Sequence, residues 1–221
     1  MNSKHPTDDL IVKVPGSSQP KQARSVRSHE AIIGALRSLL EEHYFEDLTV
    51  QQIADKAGVS VGVCYQRFGS KQGLLAYVYR EFEKDLEPLV KEHASASRWQ
   101  GLSGAEMAAA AAEDLYRFYR KRRGLLRTFY LWLRLHPESA SPESGKRRRA
   151  QMRGVGAAMV AAGGFSQKPA TVAQALAQLS LVLVDQVLFE ALPPTWLSSR
   201  EAAGARRLAV SQFAAVIEGR A

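Results

Sequence analysis

One cysteine, Cys64, in 221 residues leaves no partner for an internal disulfide and no thiolate set for a zinc or iron–sulfur centre. Long hydrophobic runs are also missing. The longest uncharged stretch of the C-terminal half, residues 169–184, is interrupted by Gln174, Gln178 and Ser180, and reads as too short and too polar for a bilayer helix. Near the N-terminus the longest apolar run is Leu10-Ile11-Val12, far short of a signal-peptide core. These absences suggest a reducing, cytoplasmic setting and no membrane partner. Catalytic motifs fail as well. His29-Glu30 begins a zinc-protease pattern, but Ile33 stands where the second histidine belongs. Gly145-Lys146 ends a phosphate-loop pattern whose first glycine is replaced by Ala140 and whose hydroxyl residue is replaced by Arg147. Gly154-Val155-Gly156 follows no strand, and no Gly-x-Ser-x-Gly elbow occurs. The expectation is a non-enzyme with no catalytic residue, metal or cofactor.

Alternating strand patterns with turn dipeptides are absent, as are solenoid repeats. Apolar residues make up 46% and charged residues 24%, which suits a folded globular chain. The fold class expected is all-α. Net charge is +8, and its distribution is uneven. Over residues 81–116, eight acidic side chains outnumber three basic ones. Over 117–153, twelve Lys and Arg face two Glu. This basic segment reads either as a solvated helix face or as a site for an anion.

Residues 1–24 read as a flexible arm, broken by Pro6, Pro15, Gly16 and Pro20. Helical periodicity then predicts helices near 25–44, 50–57, 60–67 and 71–87, with Pro88 ending or kinking the last. Further helices are expected near 104–122, 124–136, 143–162, 169–192 and 199–218, with breaks at Gly124 and Pro193-Pro194 among others. Helix 169–192 is apolar on nearly every side, from Val172 to Phe189, so it needs burial all round, and a second subunit would supply it. Helix 199–218 places Ala202, Ala209, Val210, Phe213, Ala214 and Ile217 at helical spacing.

The densest pattern lies over residues 49–75. Thr49 and Gln52 form a capping box. Gly58 sits where a tight turn needs positive φ. Val59, Cys64 and Phe68 face inward, which frees the other face of the third helix for a major groove about 12 Å wide. Ser60 caps that helix, and Gly69-Ser70 ends it and caps the next. The result is a helix-turn-helix.

This run resembles the DNA-binding head of the tetracycline-repressor (TetR/AcrR) family. It matches T-V-x-x-I-A-x-x-A-G-V-S-x-G-x-x-Y-x-x-F-x-S-K-x-x-L-L residue by residue, from Thr49 to Leu75. The resemblance covers about residues 25–80 and implies two roles. Thr49, Tyr65 and Lys71 bind phosphate. Ser60, Val61, Gly62, Val63, Gln66 and Arg67 face the groove. Side-chain chemistry, with glutamine suited to adenine and arginine to guanine or phosphate, gives most polar readout to Gln66 and Arg67. Val61 and Val63 stand where the family often has Lys and Thr, Cys64 where it often has Leu, and Gln66-Arg67 replace a frequent aromatic-His pair.

The same resemblance implies that residues 81–221 form a ligand-binding and dimerisation domain, with a homodimer built from the helices near 169–192 and 199–218. The function expected is a ligand-responsive regulator of the repressor kind on a palindromic operator. Tyr116, Tyr119, Phe129, Tyr130, Trp132, Met152, Met159 and Leu183 are candidates to line an effector pocket. Arg134 and His136 are candidates for its mouth, and the polar exceptions Asp185 and Gln186 for effector contact or dimer register. The basic segment suggests an anionic amphiphile such as acyl-CoA or fatty acid. The alternative is a DNA-bound scaffold whose C-terminal domain recruits a protein partner.

Overall fold

The computed structural model describes residues 23–139, 142–188 and 199–220. Among these residues there are nine α-helices, two short 3-10 turns and no strand, so the chain is all-α. The helices are α1 (Ala23–Glu42), α2 (Val50–Ala57), α3 (Val61–Phe68), α4 (Lys71–His93), α5 (Gly104–Arg120), α6 (Arg123–Leu135), α7 (Pro142–Gly163), α8 (Pro169–Leu188) and α9 (Ser199–Glu218). The expected arm lies almost wholly outside the described residues. So do the end of the expected helix 169–192 with Phe189, the Pro193-Pro194 break and the Ala202 side chain.

The chain forms two compact units. One comprises Met1–Asp85 with Gly124–Gly145, the other Leu86–Arg123 with Lys146–Ala221. In the first, α1 buries Ile32, Ala35, Leu36 and Leu40. Phe45, Leu48, Ile53, Ala54, Cys64, Phe68, Leu75, Val78 and Phe82 complete that core from the following segments.

Helix α6 joins the first unit through contacts that its position in sequence does not suggest. Gly124 was expected as a break, yet it lies buried in the first turn of α6. A Cβ there would stand 2.5 Å from the Leu40 carbonyl oxygen, so only glycine permits this approach. The Gly124 amide donates to Glu41 Oε1 at 3.1 Å. Arg127 Nη2 donates to the carbonyls of Leu40 and His43, both at 2.7 Å, which satisfies the carbonyl end of α1. Phe129 then packs edge-on against Tyr79 at 4.8 Å.

The second unit is built on contacts among α5, α8 and α9. Helix α5 opens with a capping box, Ser103 with Glu106, and buries Met107, Ala108, Ala111, Ala112, Leu115, Phe118 and Tyr119. Gly156 of α7 lies so close to α8 that a Cβ would meet the Pro169 carbonyl at 2.5 Å. Trp99 is fully buried and donates from its indole to the His93 carbonyl at 2.7 Å. Asp114 accepts from Arg98 and Arg117 at 2.9 and 2.8 Å and pairs with His93 Nε2 at 3.1 Å. Burial alone would raise the Asp114 carboxyl, but the hydrogen bonds from Arg98 and His93 outweigh it and hold the group below its ordinary value.

Two expectations need correction. Helix α4 does not end at Pro88 but continues to His93, with the proline inside it. Pro88 and Lys84 are both exposed, so the carbonyl that the proline cannot bond is left near water. The second concerns α8. With 20 residues it is long and apolar enough, by length and composition, to cross a membrane. Half of its most apolar window is nevertheless buried inside the protein. Its inner face packs as a core helix, while Leu181 is 59% exposed in the single chain, which leaves the expected second subunit untouched.

Candidate nucleic-acid interface

The local chemistry of α2 and α3 explains why this pair holds its shape. Thr49 has extended backbone and caps α2. The Gln52 amide donates to Thr49 Oγ1 at 3.2 Å, and the Thr49 amide donates to Gln52 Oε1 at 2.7 Å. Gly58 ends the helix at φ 65° and ψ 34°, the left-handed turn its position predicts. Ser60 stands at the head of α3, but its hydroxyl makes no capping bond there. Ser70 caps α4 instead, accepting from the Gly73 amide at 2.9 Å.

Helix α3 has two unlike sides. Cys64 and Phe68 are buried, and burial pushes the Cys64 thiol upward, against the smaller pull of Arg67, so it serves as a small hydrophobe. On the other side Ser60, Gly62, Tyr65 and Gln66 are exposed, and Val61 and Val63 are half-buried beside them. Nothing lies within 4 Å of a Cβ placed at Gly62 except Ser60 Oγ at 3.8 Å. Packing therefore does not demand glycine at this position. Val61, Val63 and Gln66 offer contacts suited to a thymine methyl and to an adenine edge.

Arg67 and Lys71 also make contacts within the protein. Arg67 turns back towards α1, where its Nη2 donates to Ser28 Oγ at 2.7 Å. Beside it the His29 ring is buried, stacks on Phe68 at 5.0 Å and meets the edge of Tyr77 at 4.6 Å. Neither His29 ring nitrogen has a hydrogen-bond partner among the described residues. Burial, and then the Arg67 charge, hold this imidazole below its ordinary value, against Glu81 and Glu30. Sequence reasoning missed Ser28 and His29, because a contact between α1 and the end of α3 leaves no local pattern. Lys71 Nζ donates to the Glu46 carbonyl at 3.2 Å and lies 4.4 Å from the centre of the Phe45 ring. Burial lowers its amine. It ties the loop before α2 to the start of α4, and an ammonium keeps further donors for a phosphate.

The effector candidates are divided between the two units. Phe129, Trp132 and Arg134 belong to the first. There Phe129 is core, Trp132 packs against Phe45 and His136, and Arg134 donates to the Tyr130 hydroxyl at 2.6 Å. In the second, Met159 and Leu183 are fully buried, Met152 and Gln186 are half-buried, and Asp185 is exposed. Tyr116 lies under the Arg206 guanidinium at 4.1 Å. Tyr119 is buried with its hydroxyl 2.5 Å from Ser180 Oγ, and burial pushes its phenol upward.

Comparison with known proteins bears on the helix-turn-helix. The sequence model of bacterial regulatory proteins of the tetR family matches residues 32–78, which span most of α1 through much of α4. No curated protein matches the chain in sequence. A crystal structure from Mesorhizobium loti MAFF303099, of a protein assigned to the TetR family of transcriptional regulators, shares the fold. Its TM-score is 0.59 at 18% identity, over 88% of this chain and 98% of that one. The TetR-family repressor AlkX from Dietzia sp. strain DQ12-45-1b, implicated in biodegradation of n-alkanes, aligns at TM-score 0.44 and 19% identity, over 90% of this chain and 100% of that one. Residues 32–78, with their capped α2, left-handed Gly58 turn and exposed α3 face, thus match the model of tetR-family bacterial regulatory proteins, and the chain is similar in fold to a TetR-family transcriptional regulator.

Proposed function

We propose that the chain binds a palindromic operator as a homodimer and represses transcription until a small apolar or amphipathic effector releases it. The observation that carries the DNA reading is the two-sided α3. Its back is tied to the core, while Ser60, Gly62, Tyr65 and Gln66 lie open on the other face. In this reading Ser60, Val61, Gly62, Val63 and Gln66 meet base edges. Tyr65, Thr49 and Lys71 meet phosphates, helped by the N-terminal ends of α2 and α4.

Exposed leucines support the homodimer. Leu181 on α8 and Leu208 on α9 are 59% and 60% exposed, on the two helices expected to pair. A four-helix contact between copies would cover such side chains. The reading sets two α3 helices about 34 Å apart, one turn of DNA. For the effector, the Tyr119–Ser180 pair offers a polar handle within the apolar surroundings of α5 and α8. An operator target places the protein in the cytoplasm. Selection of duplexes from a random pool, followed by a reporter assay with fatty acids and acyl-CoA, tests the proposal. A two-fold-symmetric site and derepression support it. Retention of DNA without sequence preference contradicts the operator, and flat titrations with both ligand classes contradict the amphiphile.

A second reading, a DNA-bound scaffold for an acidic protein, has one observation in its favour. Lys146, Arg149 and Arg153 are exposed at i, i+3 and i+7, on one face of α7. Salt-sensitive capture of such a partner with no effector response would favour it.

A further inference from the structure

The end of the recognition helix is gripped by α1 at two successive points. Arg67 Nη2 donates to Ser28 Oγ at 2.7 Å, and on the next residue the Phe68 ring stacks on His29 at 5.0 Å. A dipeptide of α1 thus faces a dipeptide of α3. With Cys64 and Phe68 already buried in the core, two contacts one residue apart, one polar and one aromatic, add to the hold on the roll and tilt of α3 at its C-terminal end. Both matter for the DNA reading, because the side chains it sets against base edges project from this same eight-residue helix. Arg67 Nε is shielded from solvent, the side chain is half-buried, and its Nη2 is held by Ser28.

We propose that Arg67 is a positioning residue. With Ser28 it sets how α3 is presented, and it is neither the base reader nor the phosphate contact that its place at the end of the recognition helix suggests. The inference rests on the DNA-binding reading but assigns Arg67 a part that reading does not contain. Polar readout then falls to Gln66 and Ser60. Burial first, and then the Arg67 charge, lower the neighbouring His29 imidazole from its ordinary value.

The test uses the full chain and a duplex that the wild-type protein selects from a random pool. Ser28→Ala, Arg67→Ala and the double variant are compared for Kd of the folded fraction, salt dependence of Kd, base preference and Tm. The proposal predicts that each single variant weakens binding roughly tenfold, the scale of one charge-assisted hydrogen bond. It predicts that the double variant is no weaker than the singles, that base preferences are kept, and that the slope of log Kd against log salt is unchanged. A slope reduced by about one unit in Arg67→Ala would mean a phosphate contact and would overturn it. So would relaxed preference at one base pair, or an unchanged Kd in Ser28→Ala. A purely structural role would lower Tm while leaving Kd of the folded molecules as it was, and would equally overturn it. If the wild-type protein selects no duplex, the DNA-binding reading fails and the inference falls with it, an outcome distinct from all of these.

Discussion

Gly62 lies on the open face of α3, with room for a methyl group and no packing reason to lack one. Replacing it with alanine should stabilise the helix by about 0.5–1 kcal/mol, since glycine is a poor helix former. The same methyl would stand between α3 and the duplex. Gly62→Ala is therefore expected to raise the unfolding midpoint in urea while weakening operator binding in a gel-shift titration. Gly124 makes the opposite case. There a Cβ would press on the Leu40 carbonyl. Gly124→Ala should destabilise the protein by about 1–3 kcal/mol, read from the same urea curves. Gly58 was legible from sequence because a turn between two short amphipathic segments announces its own need for positive φ. Gly124 was legible only as a glycine. Its reason is the backbone of α1, more than eighty residues earlier, and no local pattern encodes that. The Arg67 contact was illegible on the same account, since nothing near it in sequence says that Ser28 Oγ will accept its hydrogen bond.

Short helices depend on their ends. Helix α2 has eight residues, and its first turn is held by Thr49 and Gln52. Thr49→Ala should cost about 1 kcal/mol, measured by thermal or urea unfolding. The pH dependence of stability belongs at this scale too, because buried imidazoles sit where elements meet. Burial holds both His29 and His93 below the ordinary imidazole value of 6.5. Between the lowered folded value and 6.5 the unfolded chain binds protons that the folded chain refuses, so stability is fully present above 6.5 and is lost as pH falls below it. Unfolding midpoints should drop between about pH 7 and pH 5, and His29→Leu should reduce that drop. Equal slopes for both proteins would contradict the assignment to His29. The helices themselves were legible because apolar spacing and caps are local. Pro88 misled because a proline's effect depends on where its ring points. On an exposed face of a long helix the missing hydrogen bond is left to water, and packing on either side carries α4 through.

At the scale of the whole molecule the account requires two copies. Leu181 and Leu208 are the exposed large apolar side chains of the second unit among the described residues. Leu181→Lys is expected to shift the protein towards monomer in sedimentation equilibrium and to weaken operator binding in parallel, since one head alone loses half of the contacts. A dimer that survives both Leu181→Lys and Leu208→Lys would place the interface elsewhere. The measurement closest to the centre of the account is a base-by-base affinity profile of the selected duplex, for the wild-type protein and for Gln66→Ala. The prediction is two half-sites centred about one helical turn apart, with preference relaxed by Gln66→Ala at the same base pair in each. Identical profiles for the two proteins, or binding indifferent to sequence, would show that α3 does not read DNA.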